Sequence, residues 1–249
     1  GKFYARYKSA KWYQDQVRDA EADARKLGFN KVSKLKLAVA TNIRNFVVGG
    51  GFLFTMCSGT DSFDIALSAH NTDICESMYD GDASEPNYQN KLDYNNTLAF
   101  RNFTIIKDPF EYEYSNIDGT NSHRMPENQD KFTLFEFSAK WDIVPTMLTQ
   151  CHTDIIDGFM GQTTDFNKQF IKPDVLILGE NQAINTAKYI HGTLGEGTWT
   201  FYGGHDPEDY QHLVGDPPTD LNLHPNSPGY RLILNNILFP AAKKKKRKT

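Results

Sequence analysis

Apolar residues recur at helical spacing through the first fifty positions. Leu35, Val39, Ile43, Phe46 and Val47 step by four, four, three and one, which places them in one stripe along a helix. Before them, Lys8 to Leu27 is charged and alanine-bearing and predicts a solvent-facing helix. Gly49 to Gly51 close the second helix, as glycine does at helix C-termini. Phe52 to Met56 is then a short, almost wholly apolar run of the kind buried on both faces of a parallel sheet. Asp61 to Ala69 suits a following helix, with Asp61 or Ser62 as N-cap.

The pattern changes at residues 71 to 140. Turn-rich segments (DGDASEPNYQN, IDGTNSHRMPENQD) separate short aromatic or β-branched runs (FTII, FEYEY, FTLFEF), and predict an irregular, strand-rich insertion beside the sheet. Three apolar runs follow, at Thr146 to Leu148, Val175 to Leu178 and Trp199 to Tyr202. The final helix has Ser227 as N-cap and Pro228 in its first turn, with Tyr230, Ile233, Leu234, Ile237 and Leu238 as its apolar stripe. Residues 241–249 form a basic tail, a solvated charge run or a hook for an acidic partner or anionic lipid. The first strand comes only after some fifty residues of helix, so the chain is expected to be the C-terminal part of a longer protein, folded as a single domain over 1–249.

Composition narrows the function classes. The 249 residues are 39% hydrophobic and 23% charged, enough for a sizeable core. A net charge of −4 gives no reason to expect nucleic-acid binding, and no apolar run approaches the roughly 20 residues of a membrane span. Three cysteines, Cys57, Cys75 and Cys151, are too few and scattered for a disulfide scaffold or a four-thiolate zinc site.

Candidate chemistry gathers at the tip of the first strand. A nucleophile between a strand and a helix is pushed out by the tight turn. The helix N-terminus beyond it offers amide hydrogens and a positive dipole end, which lower a thiol's pKa. Cys57 has that place, followed by Ser58 and Gly59, with Thr55 two residues before it. A bland reading competes, because cysteine is among the most buried residue types. Ser58 to Ser62 (SGTDS) also resembles the pyrophosphatase loop of asparagine synthetases, Ser-Gly-Gly-x-Asp-Ser, one glycine short. Downstream, HDPEDYQH offers His205, Asp206, Glu208 and His212 as a metal-ligand set, or equally as the acidic start of a helix.

Two stretches carry a family resemblance. IRNFVVGGGFLFTMCSG resembles the class I glutamine amidotransferase-like pattern of helix, glycine triplet, apolar strand and a G-x-C-x-G elbow. GEGTWTFYGGHDPEDY and SPGYRLILNNILF resemble the close of ThuA-like domains of the same superfamily: Gly204, His205, Asp206, Pro207 and Glu208, then Arg231 and Asn236. The resemblance covers Lys34 to Cys75 and Asp174 to Pro240. It implies an α/β fold, a flavodoxin-like three-layer sandwich with a mainly parallel sheet, whose strands 52–56 and 199–202 are neighbouring central strands. It further implies Cys57, His205 and Glu208 as catalytic residues, with Asp206 as the other group that could orient His205. Ser58, Gly59, Asp61, Asp206 and His212 would face a ligand. The sequence departs from the pattern at Thr55, where the elbow has glycine, and in a His–Glu dyad one residue wider.

More loosely, the whole chain resembles a Bacteroidetes envelope protein family often labelled asparagine synthetase B. That resemblance implies a periplasmic or envelope location, an envelope protein or an N-terminal half as partner, and a small-molecule or glycan ligand. No cofactor or metal is expected. Three functions follow: a catalytically silent binding module of an envelope assembly, a cysteine-dependent amide hydrolase or amidotransferase using Cys57 and His205, and an ATP-dependent asparagine synthetase-type ligase. The long segment from Asp209 to Asn226 is expected to form an ordered wall beside Cys57 and His205, with His212 or His224 facing the crevice.

Overall fold

In the computed structural model the described residues are 2–119, 126, 130–135, 153–207, 217–238 and 240. The helices are α1 (Lys2–Tyr7), α2 (Lys11–Lys26), α3 (Val32–Val48), α4 (Ser58–Ser68), α5 (Ser77–Asp80) and α6 (Pro228–Leu238). The strands are β1 (Phe52–Met56), β2 (Lys131–Leu134), β3 (Ile155–Met160), β4 (Phe166–Asn167), β5 (Leu176–Asn181), β6 (Thr186–Leu194), β7 (Gly197–Tyr202) and β8 (Asp206–Pro207). They form one sheet in the order β1-β7-β6-β5-β2-β3-β8, with β4 on β6. Among the described residues no helix is long and apolar enough to cross a membrane.

The parallel, flavodoxin-like sandwich is not what forms. Among the described residues only β1 and β7 run parallel, in the register Phe52 to Thr198 through Met56 to Tyr202. Every other pairing is antiparallel, and the sheet curls strongly into a half-barrel. Connection length explains the difference. A parallel neighbour needs a crossover of a dozen or more residues, whereas antiparallel strands join through a tight turn. β6 ends at Leu194 and β7 begins at Gly197, so these two can only pair as a hairpin. The β6 strand hid in the sequence because it holds Lys188 and His191, yet both are buried. Lys188 Nζ donates to Phe159 O at 2.8 Å and lies 3.7 Å from Asp130 Oδ1, while His191 Nδ1 is 2.9 Å from Thr200 Oγ1.

Two cores flank the sheet. One joins Val47 of α3, Ile65 and Leu67 of α4, Phe100, Phe103 and Phe166 to Trp199 and Phe201. The other packs Leu232 of α6 against Phe132, Phe159, Tyr189 and Tyr202. Complete burial of each such side chain contributes on the order of 2 kcal/mol. The expected helix stripes are shifted. In α3 the buried residues are Ala40 and Val47, with Val39 and Phe46 exposed; in α6 they include Leu232, Asn235 and Asn236, with Leu234, Ile237 and Leu238 exposed. Asn236 is buried because its amide oxygen accepts from Tyr189 Oη at 3.2 Å. The N-cap of α6 is Ser227, whose Oγ accepts from Tyr230 N at 3.3 Å.

The described part of the insertion, residues 71 to 140, is not strand-rich. It holds one strand, β2, plus isolated bridges such as Ile105 with Ser115. Side chains replace the sheet ladder as partners for its backbone. The buried Asp64 carboxylate of α4 accepts from the amides of Leu98, Ala99 and Phe100 at 2.7, 2.7 and 2.8 Å. Gln89 likewise donates to Phe103 O and accepts from Ile105 N. The β1 strand is half-buried along its whole length, because it forms an edge of the sheet. The apolar run at 146–148, Cys151 and the basic tail lie outside the described residues.

Candidate active site

The chain leaves β1 at Cys57 in a conformation that L-residues rarely adopt, φ 55° and ψ −140°. Holding a non-glycine residue there costs about 1–3 kcal/mol. The Cys57 amide is fixed by donating to Tyr202 O at 3.0 Å and Gly204 O at 3.1 Å, which stitches the turn to the end of β7. α4 then starts at Ser58. Thr55, where the elbow pattern has glycine, is accommodated from the other side: a β-carbon on Gly59 would lie 2.5 Å from Thr55 Oγ1, so the missing side chain of Gly59 makes the room.

β7 delivers the partner. After Tyr202 the chain passes Gly203 and Gly204 to His205, and Asp206 begins β8. The amide of Gly203 donates to Lys188 O and that of Gly204 to Thr163 O. His205 hydrogen-bonds the Cys57 side chain. Its Nδ1 lies 2.8 Å from Asp206 Oδ2, which leaves Nε2 for the sulfur. Cys57, His205 and Asp206 thus form a thiol–imidazole–carboxylate relay.

A third segment completes the site. It follows β3. The Gln162 amide donates to Cys57 Sγ at 3.0 Å, and the amides of Thr163 and Ser58 also hydrogen-bond the sulfur. Gly161 packs against the relay: a β-carbon there would lie 2.9 Å from Sγ, 2.9 Å from Gly204 Cα and 3.2 Å from His205 Cδ2. This segment is held from behind. Thr163 Oγ1 donates to Asp61 Oδ1 at 2.9 Å, and Lys188 grips the carbonyl of Phe159, whose own φ is 76°. What a sequence shows of such a segment is only a short polar stretch, GQTTD, after a strand.

The electrostatics favour an ion pair. Burial pushes the Cys57 thiol up, but its bond to His205, the Thr163 and Ser58 amides and the charge on His205 outweigh that and hold it below its ordinary value. For His205 the bond to Cys57 is the largest influence and raises the ring; burial opposes it, Asp206 adds to it, and the ring settles at about 9. Both shifts favour a thiolate–imidazolium pair, and the positive end of α4 lies beside the sulfur.

The remaining candidates fall elsewhere or serve differently. Asp61 is fully buried, pushed up to about 7 by burial despite its bonds to Thr163 and the Ser62 amide, and it fastens the 162–163 segment rather than facing a crevice. The Ser58–Ser62 loop is the first turn of α4, where Thr60 N bonds Cys57 O and Ser62 N bonds Asp61 Oδ1. Gly59 is exposed beside it. Glu208 and His212 lie outside the described residues, as does 209–216 of the expected wall; His224, which is described, sits 6.1 Å ring to ring from Tyr230. Cys75 lies among Asp73 and Asp80, and burial with those charges pushes its thiol up to about 12. The oxygens of Asp73, Asp80 and Asp82 converge closely enough for a cation, but Lys31 Nζ already sits among them, 2.9 Å from Asp73, 3.3 Å from Asp80 and in contact with Asp82.

No protein-family model, curated protein or solved structure matches the chain.

Proposed function

We propose that this protein is a cysteine-dependent acyl hydrolase acting on an amide or ester. The observation that carries the reading is the convergence on Cys57 Sγ of the His205 ring, backed by Asp206, and of the backbone amides of Gln162, Thr163 and Ser58.

The chemistry follows from these groups. The Cys57 thiolate attacks the carbonyl carbon, forming an S–C bond while the carbonyl π electrons move onto oxygen. Amides that lie beside the sulfur are placed to donate to that oxyanion. Collapse breaks the bond to the leaving nitrogen or oxygen, which takes the proton from the His205 imidazolium. Neutral His205 then draws a proton from water. The resulting hydroxide attacks the thioester, and the S–C bond breaks to release the acid and the Cys57 thiolate, with the water proton kept on His205. Asp206 holds the ring with Nε2 towards the sulfur in both halves. The strained Cys57 backbone fits the same account, since strain of this kind clusters where a side chain must be presented.

Trapping tests the reading. The protein is mixed with p-nitrophenyl esters and with peptidyl aminocoumarin amides, quenched in acid, and mapped by mass spectrometry. The expected result is an acyl mass on the Cys57 peptide, together with turnover that falls on the order of 10³-fold or more in Cys57→Ala. Turnover that survives in Cys57→Ala, or no acyl adduct and no turnover with any of these substrates, would overturn it.

A further inference from the structure

The first two turns of α4 form one wall of a cavity of about 430 Å³. α1 roofs it, the 105–107 segment and Tyr114 face α4, and Tyr79 of α5 closes one end. The lining is aromatic and aliphatic: Phe3, Tyr4, Tyr79 and Tyr114 with Ile65 and Ile105. The roof is anchored, because Tyr4 Oη donates to Met78 O at 3.1 Å and its ring meets Tyr79 edge-on at 4.9 Å. Two ionic groups reach the rim, Lys107 and Glu76, and they pair with each other. Lys107 Nζ also stands 4.2 Å from the Tyr88 ring centroid. The cavity therefore offers an occupant apolar surface without a net charge.

Its position relative to the nucleophile is specific. Ser58, the residue after Cys57, lines it, and Ser62 lies one helical turn further along the same wall. On the facing side Tyr114 hydrogen-bonds Gln162, whose amide donates to Cys57 Sγ. No residue of 203–207, the segment that carries His205, lines it. The leaving group must depart where His205 can protonate it, so a cavity on the other flank of Cys57 receives the acyl side.

We propose that this cavity is the acyl-side subsite of the Cys57 centre, and that the substrate carries a bulky apolar side chain, aromatic or long aliphatic, next to the scissile carbonyl. The inference rests on the hydrolase reading. A volume of 430 Å³ exceeds what a methyl-sized group fills, and an unfilled apolar pocket forfeits contacts a large side chain would make. The neutral lining excludes a carboxylate or ammonium group, whose burial without a partner is costly.

Two affinity labels test it without requiring turnover: N-acetyl-phenylalanyl and N-acetyl-glycyl chloromethyl ketone. In each, Cys57 Sγ displaces chloride from the methylene carbon, so one S–C bond forms as C–Cl breaks. Labelling rates are followed at pH 6 by mass spectrometry, with the adduct mapped to Cys57. The expected result is at least ~10-fold faster labelling by the phenylalanyl reagent. Ser62→Trp, which fills the cavity from an exposed position of α4, should bring the ratio close to one. Equal labelling of wild-type Cys57 by both reagents overturns the subsite and leaves the hydrolase reading standing. Labelling by neither in the native protein, with Cys57 reacting only once unfolded, overturns both.

Discussion

Gly161 stands directly over Cys57: a β-carbon placed on Gly161 would lie 2.9 Å from the sulfur and 3.2 Å from His205 Cδ2. The approach of sulfur and ring therefore depends on a side chain that is absent. Gly161→Ala would have to push Sγ, His205 or the Gly204 backbone aside. Since a displacement of about 1 Å at a reacting group can cost 10²-fold, kcat/KM should fall by ~10²-fold. The Gly161 φ lies outside the left-handed region, so the melting temperature should shift by only a few degrees. Full activity in Gly161→Ala would show that the sulfur and the ring need not meet.

Asp206 contributes to the upper pH limb, after the bond to Cys57. With His205 raised to about 9, the imidazolium persists through neutral pH and activity should decline as pH rises through about 9. Removing the Asp206 carboxylate removes one cause of that rise. Asp206→Ala should therefore move the alkaline limb to lower pH and reduce the plateau by on the order of 10²-fold, measured as a pH profile of kcat/KM. An unmoved limb would mean that Asp206 does not hold the ring.

Asp61 makes stability fall with pH. Its unfolded carboxyl titrates at 3.8 and its folded one at about 7, so the folded state retains a proton that the unfolded chain has lost. The stability this confers is fully present below 3.8 and is lost as pH rises through about 7. Thermal melts of the wild type should drop across that window. Asp61→Asn, which keeps the oxygen that accepts from Thr163, should flatten the drop; at roughly 2–4 °C per kcal/mol for a chain of this size, the difference is readable. Parallel curves for the two proteins would refute the assignment.

Lys188 is a buried cation with a buried anion. Lys188→Met strips the charge partner of Asp130 and the donor to Phe159 O, and should destabilise by about 3–5 kcal/mol in a denaturant titration. Replacing both residues, Lys188→Met with Asp130→Leu, should recover much of that loss, because no charge is then left unpaired. If the double variant is no more stable than the single one, the charge pair is not what Lys188 serves.

The legible parts of this molecule are local. A helix, a glycine stop, an apolar strand, a cysteine and a second helix follow one another within forty residues, and they form in that order as α3, β1, Cys57 and α4, although α4 starts at Ser58 with Cys57 at its N-cap position rather than with Asp61 or Ser62 as a side-chain cap. That β1 and β7 are neighbours, which sets Cys57 near His205, was expected from the family resemblance and not from the apolar runs alone, and β1 lies at the edge of the sheet rather than at its centre. The sheet's direction was not legible. It depends on β6, whose Lys188 and His191 read as surface residues because their partners Asp130 and Thr200 are met only in the fold. The burial of Asp61 and Asp64 was hidden for the same reason, since Thr163 and the 98–100 amides lie far along the chain. Gln162 and Gly161 contribute an amide and an absence, and neither leaves a residue-type signature.

The proposed hydrolase chemistry requires His205 to hold Cys57 as a thiolate, and the alkylation rate of Cys57 reads that state. Iodoacetamide labelling of the native protein is followed from pH 5 to 9, with the Cys57 peptide quantified apart from those of Cys75 and Cys151. Rapid labelling of Cys57 is expected already at pH 6, and in His205→Ala a profile that moves towards that of an ordinary thiol, titrating at about 8.5. A wild-type profile that rises only at about 8.5, and that His205→Ala leaves unchanged, would contradict the thiolate state.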